Sequence, residues 1–224
     1  MILAELRQAM SEMRVVDVGF GAGRTVPYFG MAARSYSGFG FAPNMVATCR
    51  QIVGDLVDPA SITTADARNM TAVGDASCDL VLISYNAIDE GGEGDRFKVL
   101  AEVRRVMTSG GYFCFSSHNM RSLTPRGATG LLPRLRRWRR YRLLRAANPN
   151  LDTLRHGPTA MIHDPGIDYR FPHSYIAPSA QVRQFQDFGL GNVRVFSLNS
   201  GQEIADPAYW DDLVDSWVYY LCRA

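Results

Sequence analysis

VVDVGFGAGR, residues 15–24, is an apolar run that closes on an acidic residue and then sets glycine at every second position, Gly19, Gly21 and Gly23. Val15, Val16 and Val18 are β-branched and suit a short buried strand. Gly19 and Gly21 permit backbone angles, and a close approach of a ligand, that a Cβ would block. A helix that follows such a turn points its free N–H groups at whatever is bound. The stretch therefore reads as a strand breaking into a tight turn that cradles a nucleotide-like ligand. A dinucleotide turn, G-x-G-x-x-G, would need glycine at position 24, where the chain has Arg24. The spacing is D-x-G-x-G-x-G instead.

Outward from the turn, helix and strand signals alternate. The patterning predicts strands at 14–19, 35–41, 61–65, 79–84 and 111–117, with helices at about 24–33, 44–54 and 95–107. Such alternation means parallel βαβ units. Pro43 suits the first turn of its helix, where Met45, Val46, Cys49, Ile52 and Val53 recur on one face. Phe97, Leu100, Val103 and Met107 do the same in the later helix, which Gly110-Gly111 should end. A helix near 179–188 and strands at 192–197 and 217–223 complete the series. Residues 120–175 fit no βα rhythm. They are Arg-rich, then dotted with Pro and His, and they follow the C-terminal end of a parallel strand, where open α/β sheets bind ligands. The expectation is one domain, 1–224, with a substrate cap inserted at about 120–175.

The D-x-G-x-G-x-G turn resembles motif I of the class I S-adenosylmethionine-dependent methyltransferases. SGFGFAPNM (37–45), TADARNM (64–70), CDLVLISYNAID (78–89) and RRVMTSGGYFCFSSHN (104–119) resemble that family's later motifs in order, and residues 176–223 resemble its ending. The resemblance implies a Rossmann-like α/β fold, a seven-stranded mostly parallel sheet of order 3-2-1-4-5-7-6 flanked by helices. Its last strand would insert antiparallel beside the fifth, and the arginine-rich cap would lie between the fifth and sixth. It implies S-adenosylmethionine as cofactor, with Asp17, Gly19, Phe20, Gly21 and Arg24 about the methionine part, and Phe41 and Met45 beside the nucleoside. Asp66 and Ala67 would meet the adenine, and Ser84 would complete the set. Ser84, Tyr85, Asn86 and Asp89 would face the methyl group and acceptor. The family's ribose-binding carboxylate falls on Gly40, and nothing acidic lies between Asp17 and Asp55. A missing charge-assisted hydrogen bond costs roughly 1.5–3 kcal/mol of binding.

Methyl transfer needs aligned reactants and, for some acceptors, removal of a proton. His118, closing a strand in SSHN, has an ordinary imidazole's capacity to take that proton near pH 7. Its two readings are a general base and a structural, hydrogen-bonded histidine. Tyr85 and Asn86 are the other catalytic candidates, with wall packing the rival role for Tyr85. His156, His163 and His173 with Asp164 and Asp168 match no compact ligand spacing, so no metal site is expected.

The chain has 224 residues, 46% hydrophobic and 21% charged, in the range of a soluble globular protein. No apolar run nears the ~20 residues of a membrane span. The amino terminus carries charges where a secretory signal needs an apolar core, and the four cysteines are scattered without a C-x-x-C pair. The expected location is cytoplasmic, with reduced core thiols. Residues 103–151 hold eleven arginines and no acid, in a chain of 24 basic and 22 acidic residues, so the remainder is net negative. PRLRRWRRYRLLR (133–145) has arginines all round and no clean apolar stripe to lie in a bilayer. One reading is recognition of an anionic acceptor, of RNA or of an anionic surface. The other is internal pairing with Glu203, Asp206, Asp211, Asp212 and Asp215. Three functions compete: methyl transfer to a small or medium-sized acceptor, a catalytically silent cofactor-binding partner subunit suggested by Gly40, and methylation of RNA. The last lacks the N/D-P-P-Y motif where the chain reads SYNA. The sequence leaves the oligomeric state open.

Overall fold

The valine run forms β1 (Arg14–Val18) at the centre of the sheet. Val15 packs on one face with Leu80, Leu82 and Cys114, while Val16 and Val18 pack on the other with Val81, Ile83, Phe113 and Phe115. A strand covered on both faces needs apolar side chains at nearly every position, which is why these segments read as continuous runs. The structure, a computed structural model, describes residues 2–124, 131–164 and 168–224.

β1 pairs in parallel with β2 (Ser35–Gly40) and β4 (Cys78–Ile83). β2 pairs in parallel with β3 (Ile62–Thr64), and β4 with β5 (Met107–Asn119). At the far edge, β9 (Trp217–Arg223) runs antiparallel to β5 and carries β8 (Gly191–Ser197) antiparallel beyond it. The ladder β3-β2-β1-β4-β5-β9-β8 is the expected order 3-2-1-4-5-7-6, with β8 and β9 as the sixth and seventh strands of that scheme. One face is covered by α1 (Ile2–Leu6), α2 (Val26–Phe29) and α3 (Pro43–Val53). The other is covered by α4 (Glu93–Val106) and, further along, α7 (Pro178–Asp187).

Three expectations are corrected here. The helix expected at 24–33 is regular only over α2 and stops at Gly30, which packs on Val57 with no room for a Cβ. On α3 the buried stripe is Val46, Cys49 and Val53, at a true helical period, so Met45 and Ile52 lie off it and are exposed. α4 passes directly into β5 at Met107 rather than ending at Gly110-Gly111, and its buried face starts with a charged residue, Arg96.

Between β5 and α7 lie α5 (Leu131–Ala147), α6 (Leu151–Leu154) and a hairpin of β6 (Thr159–His163) and β7 (Pro172–Ile176). Residues 125–130 and 165–167 of the expected cap lie outside the described residues. The segment has an apolar cluster of its own, including Met120, Leu123, Tyr141, Leu144, Ile162 and Tyr175. β4 leaves β5 at the pair Ile83–Phe115, and His118 then pairs with Tyr175 of β7 on one edge and Trp217 of β9 on the other. β7 therefore continues the line of β4 beyond its end. Among the described residues no helix is long and apolar enough to cross a membrane.

Candidate active site

The glycines of the turn each have a reason. Gly19, Gly21 and Gly23 adopt φ of +75°, +62° and +93°, the left-handed region that side chains rarely enter. A Cβ on Gly19 would collide with Ala87 of the loop after β4, and one on Gly23 with Val53 and Cys49 of α3. The Cβ direction of Gly21 meets nothing within 4 Å. The turn thus clasps the scaffold at its ends and is open at its middle.

Asp17 is fully buried beneath the turn. Its Oδ2 accepts from Thr25 Oγ1 and from Tyr36 OH at 2.7 Å, while Oδ1 has no hydrogen-bond partner among the described residues. Burial outweighs those two donors and pushes its pKa up to about 6. The native state then keeps a proton that the unfolded chain, titrating near 3.8, releases. The sign follows: this group's contribution to stability declines as pH rises from about 4 to about 6, by up to about 3 kcal/mol. The other carboxylates with shifted values, Asp79 held at about 2 by Arg14 among them, titrate in the opposite sense. Asp17→Asn should abolish only the Asp17 limb. Urea midpoints measured across pH 4–6 should show the variant gaining on the parent as pH rises; a constant difference would mean Asp17 does not titrate there.

The end of β2 departs from the family pattern in a coordinated way. The Phe20 ring lies across β2, so a Cβ on Gly38 would stand 3.1 Å from it and one on Gly40 also 3.1 Å, with Val46 Cγ2 only 2.8 Å from the latter. Phe20 is buried, whereas Phe41 and Met45 just beyond are exposed. Glycine at 40 is therefore the partner of a large residue at 20.

The loop after β4 begins with Ser84, which is buried, and continues through Tyr85 and Asn86, both at positive φ, +57° and +59°. Consecutive non-glycine residues in that region are held there by their surroundings at a cost of order 1–3 kcal/mol each. Asn86 N donates to Ser116 Oγ at 3.1 Å, yet both side-chain amide atoms of Asn86 are buried without a partner among the described residues. The Arg24 guanidinium sits 4.0 Å over the Tyr85 ring, and Tyr85 meets Trp217 edge-on at 5.8 Å.

Asp89 does not face the acceptor side, as the sequence suggested; it is fully buried behind His118. Its carboxylate pairs with Arg96 and accepts from Ser117 Oγ, from His118 N at 2.7 Å and from His118 Nδ1 at 2.8 Å. Arg96 also donates to Gln181 of α7. A carboxylate held by a guanidinium accepts rather than donates, so the network assigns the proton to Nδ1 and leaves Nε2 as the lone-pair nitrogen of neutral His118. The ring keeps 15% of its side-chain surface open. It stacks on Tyr175 at 4.8 Å and His173 at 5.3 Å, and stands edge-on to Trp217 at 6.2 Å. His173 repeats the arrangement, with Nδ1 2.9 Å from Asp164. Sequence reasoning missed Arg96 and Gln181; the available signal was a charged residue on the apolar face of a helix.

Asp66 is engaged by Arg68, whose guanidinium grips both carboxylate oxygens and also reaches Asp95. Ala67 is half-buried beside it. No group of three or more metal-ligating side chains occurs among the described residues. Cys49, Cys78, Cys114 and Cys222 are free and buried, and burial raises the thiol pKa of Cys114 to about 12.

Residues 16–115, from β1 into β5, match the family model of the methyltransferase domain. Solved structures share the fold over nearly the whole chain. A methyltransferase from Mesorhizobium loti aligns at TM-score 0.64 and 14% identity, covering 99% of this chain and 96% of that one. The CcbJ methyltransferase from Streptomyces caelestis aligns at 0.64 and 15%, covering 99% and 88%. The Burkholderia thailandensis 1,6-didemethyltoxoflavin-N1-methyltransferase, solved with S-adenosylhomocysteine, aligns at 0.56 and 11%, covering 99% and 77%. No curated protein matches the chain in sequence. Residues 16–115 thus carry a methyltransferase domain, and the chain as a whole has the fold of S-adenosylmethionine-dependent methyltransferases. The matched domain marks the protein as a methyltransferase and implies a cofactor of the S-adenosylmethionine type.

Proposed function

We propose that the protein methylates a small or medium-sized acceptor at the rim formed by the ends of β4, β5 and β7, with His118 as general base and residues 120–175 as a substrate cap on a single domain. The observation that carries this is the Asp89–His118 pair, a buried carboxylate fixing the tautomer of a partly open imidazole. The cofactor site is tested by what lines it. The open side of Gly21, the unpartnered Asn86 amide and Asp17 Oδ1, and the exposed Phe41 and Met45 fit a ligand with a polar amino-acid end and a flat nucleoside end. The ribose position offers no carboxylate, since Phe20 and Val46 fill the space at Gly40. Gly19, Gly21, Asn86 and Ser84 would hold the methionine part, Phe41 and Met45 the nucleoside, and Asp66 with Ala67 the adenine. When bound, S-adenosylmethionine supplies an electrophilic methyl group on sulfur. His118 takes the acceptor's proton on Nε2, Asp89 stabilises the charged ring through Nδ1, and Tyr175 and Trp217 wall it from water.

The test uses radiolabelled S-adenosylmethionine with a cell extract separated into small-molecule and macromolecular fractions. Label is expected in the small-molecule fraction. His118→Asn, which keeps a donor toward Asp89 but has no base, should slow transfer by about 10²–10⁴-fold while S-adenosylhomocysteine affinity by calorimetry stays unchanged. Label in RNA would support the nucleic-acid reading. Tight S-adenosylhomocysteine binding with no transfer in any fraction would support a silent partner subunit.

A further inference from the structure

We propose that the cavity between α5 and the turn after β5 binds an anionic group of the acceptor, a phosphate or a pair of carboxylates. This rests on the small-acceptor reading above and names its substrate class. The cavity has a volume of about 370 Å³, within the range of small-molecule sites. Its polar wall is Ser122 and Thr124 on one side and Arg136, Arg137, Arg140 and Tyr141 on the other. The α5 residues recur at 136, 137, 140, 141 and 144, one face of the helix, so the arginines are brought together by period rather than scattered.

Among the described residues no acid lines this cavity. Asp211 is engaged by Arg121 and Ser179, Asp152 by Arg145 and Tyr141, Glu203 by Arg194, and Asp215 by Asn199 N. Among the described residues no carboxylate of the 203–215 stretch forms an ion pair with an α5 arginine. Among the described residues Arg136, Arg137 and Arg140 have no carboxylate within 4.0 Å, and Arg137 Nε donates to the Thr124 carbonyl at 2.9 Å. Burial, and then the charge of Arg140, lower the pKa of Arg137, the mark of like charges crowded in a partly enclosed space. Guanidinium forks beside two hydroxyls match the geometry of phosphate or carboxylate oxygens. The cavity also adjoins the reacting rim. Ser122 and Thr124 follow the end of β5, and Ser216 precedes Trp217, whose ring meets both His118 and Tyr85.

Inorganic pyrophosphate and citrate, titrated separately into the full chain by calorimetry, serve as probes, with glucose as uncharged control. The expected result is a single site for at least one anion, weakened tenfold or more by Arg136→Gln with Arg140→Gln and by raising salt from 50 to 300 mM. Both arginines are exposed, so the double variant should melt with the parent and bind S-adenosylhomocysteine equally well. Equal anion affinity in parent and variant, or no anion binding below millimolar concentrations, overturns the proposal. So does an RNA oligomer that binds at least 100-fold more tightly than either anion and loses that binding in the same variant, because the arginines would then form a polyanion track. If S-adenosylhomocysteine itself does not bind, the methyltransferase reading fails independently. If it binds and the anions do not, only the cavity assignment falls.

Discussion

Asp89→Ala should lower stability by about 3–5 kcal/mol, the cost of leaving a buried guanidinium without its counter-charge. Arg96 is 2% exposed and its side chain meets Asp89 and Gln181, while Asp89 also accepts from Ser117 and from the backbone and ring of His118. Loss of the carboxylate would orphan several donors at once. Two further variants separate the structural role from the catalytic one. Asp89→Asn with Arg96→Met replaces the ion pair by a neutral amide and an apolar chain, an exchange that is often close to neutral in stability. That double variant should refold to near-parental urea midpoints and still transfer methyl at least tenfold more slowly, because His118 loses the charged partner on Nδ1. Recovery of both stability and rate would show Asp89 to be a packing residue only.

Gly40→Asp should destabilise the protein by about 2–4 kcal/mol rather than tighten cofactor binding. A Cβ at that position would stand 2.8 Å from Val46 Cγ2 and 3.1 Å from Phe20 Cζ. Overpacking of that kind typically costs 1–3 kcal/mol, and a carboxylate pressed against an aromatic ring adds desolvation. A carboxylate at position 40 is thus opposed by sterics, from Val46 and from the Phe20 ring. The clearest check is a double-mutant cycle with Phe20→Ala. The combined variant should be more stable than the sum of the single losses predicts, and its S-adenosylhomocysteine affinity should exceed that of Phe20→Ala alone. A Gly40→Asp protein with parental stability would show that the Phe20 ring swings aside at little cost.

The alternating strand and helix signals, the D-x-G-x-G-x-G turn and the motifs that follow were legible in the chain, because they depend on local periodicity and on glycines whose φ is set within the turn itself. β1, β2, β4, β5, α3 and α4 accordingly stand within a few residues of where the patterning put them. His118 was visible as a candidate, but its meaning was not. Its orienting carboxylate lies 29 positions away, its guanidinium support sits on α4, and its stacking partners come from β7 and β9. Asp89 was misread as acceptor-facing because a residue's direction in an irregular loop depends on which charges fold against it. The same holds for Gly40, where the sequence shows only that an acid is missing, whereas Val46 and the Phe20 ring show how little room there is for one. The arginines of 133–145 looked like a helix charged on every side. Packing of Tyr141 and Leu144 against the turn after β5 sorts them, turning Arg136, Arg137 and Arg140 toward one cavity. The chain by itself thus determined the class of fold, through short-range pattern. Long-range packing alone decided which charges face each other, because burial and electrostatic pairing act between residues that only the tertiary structure makes neighbours.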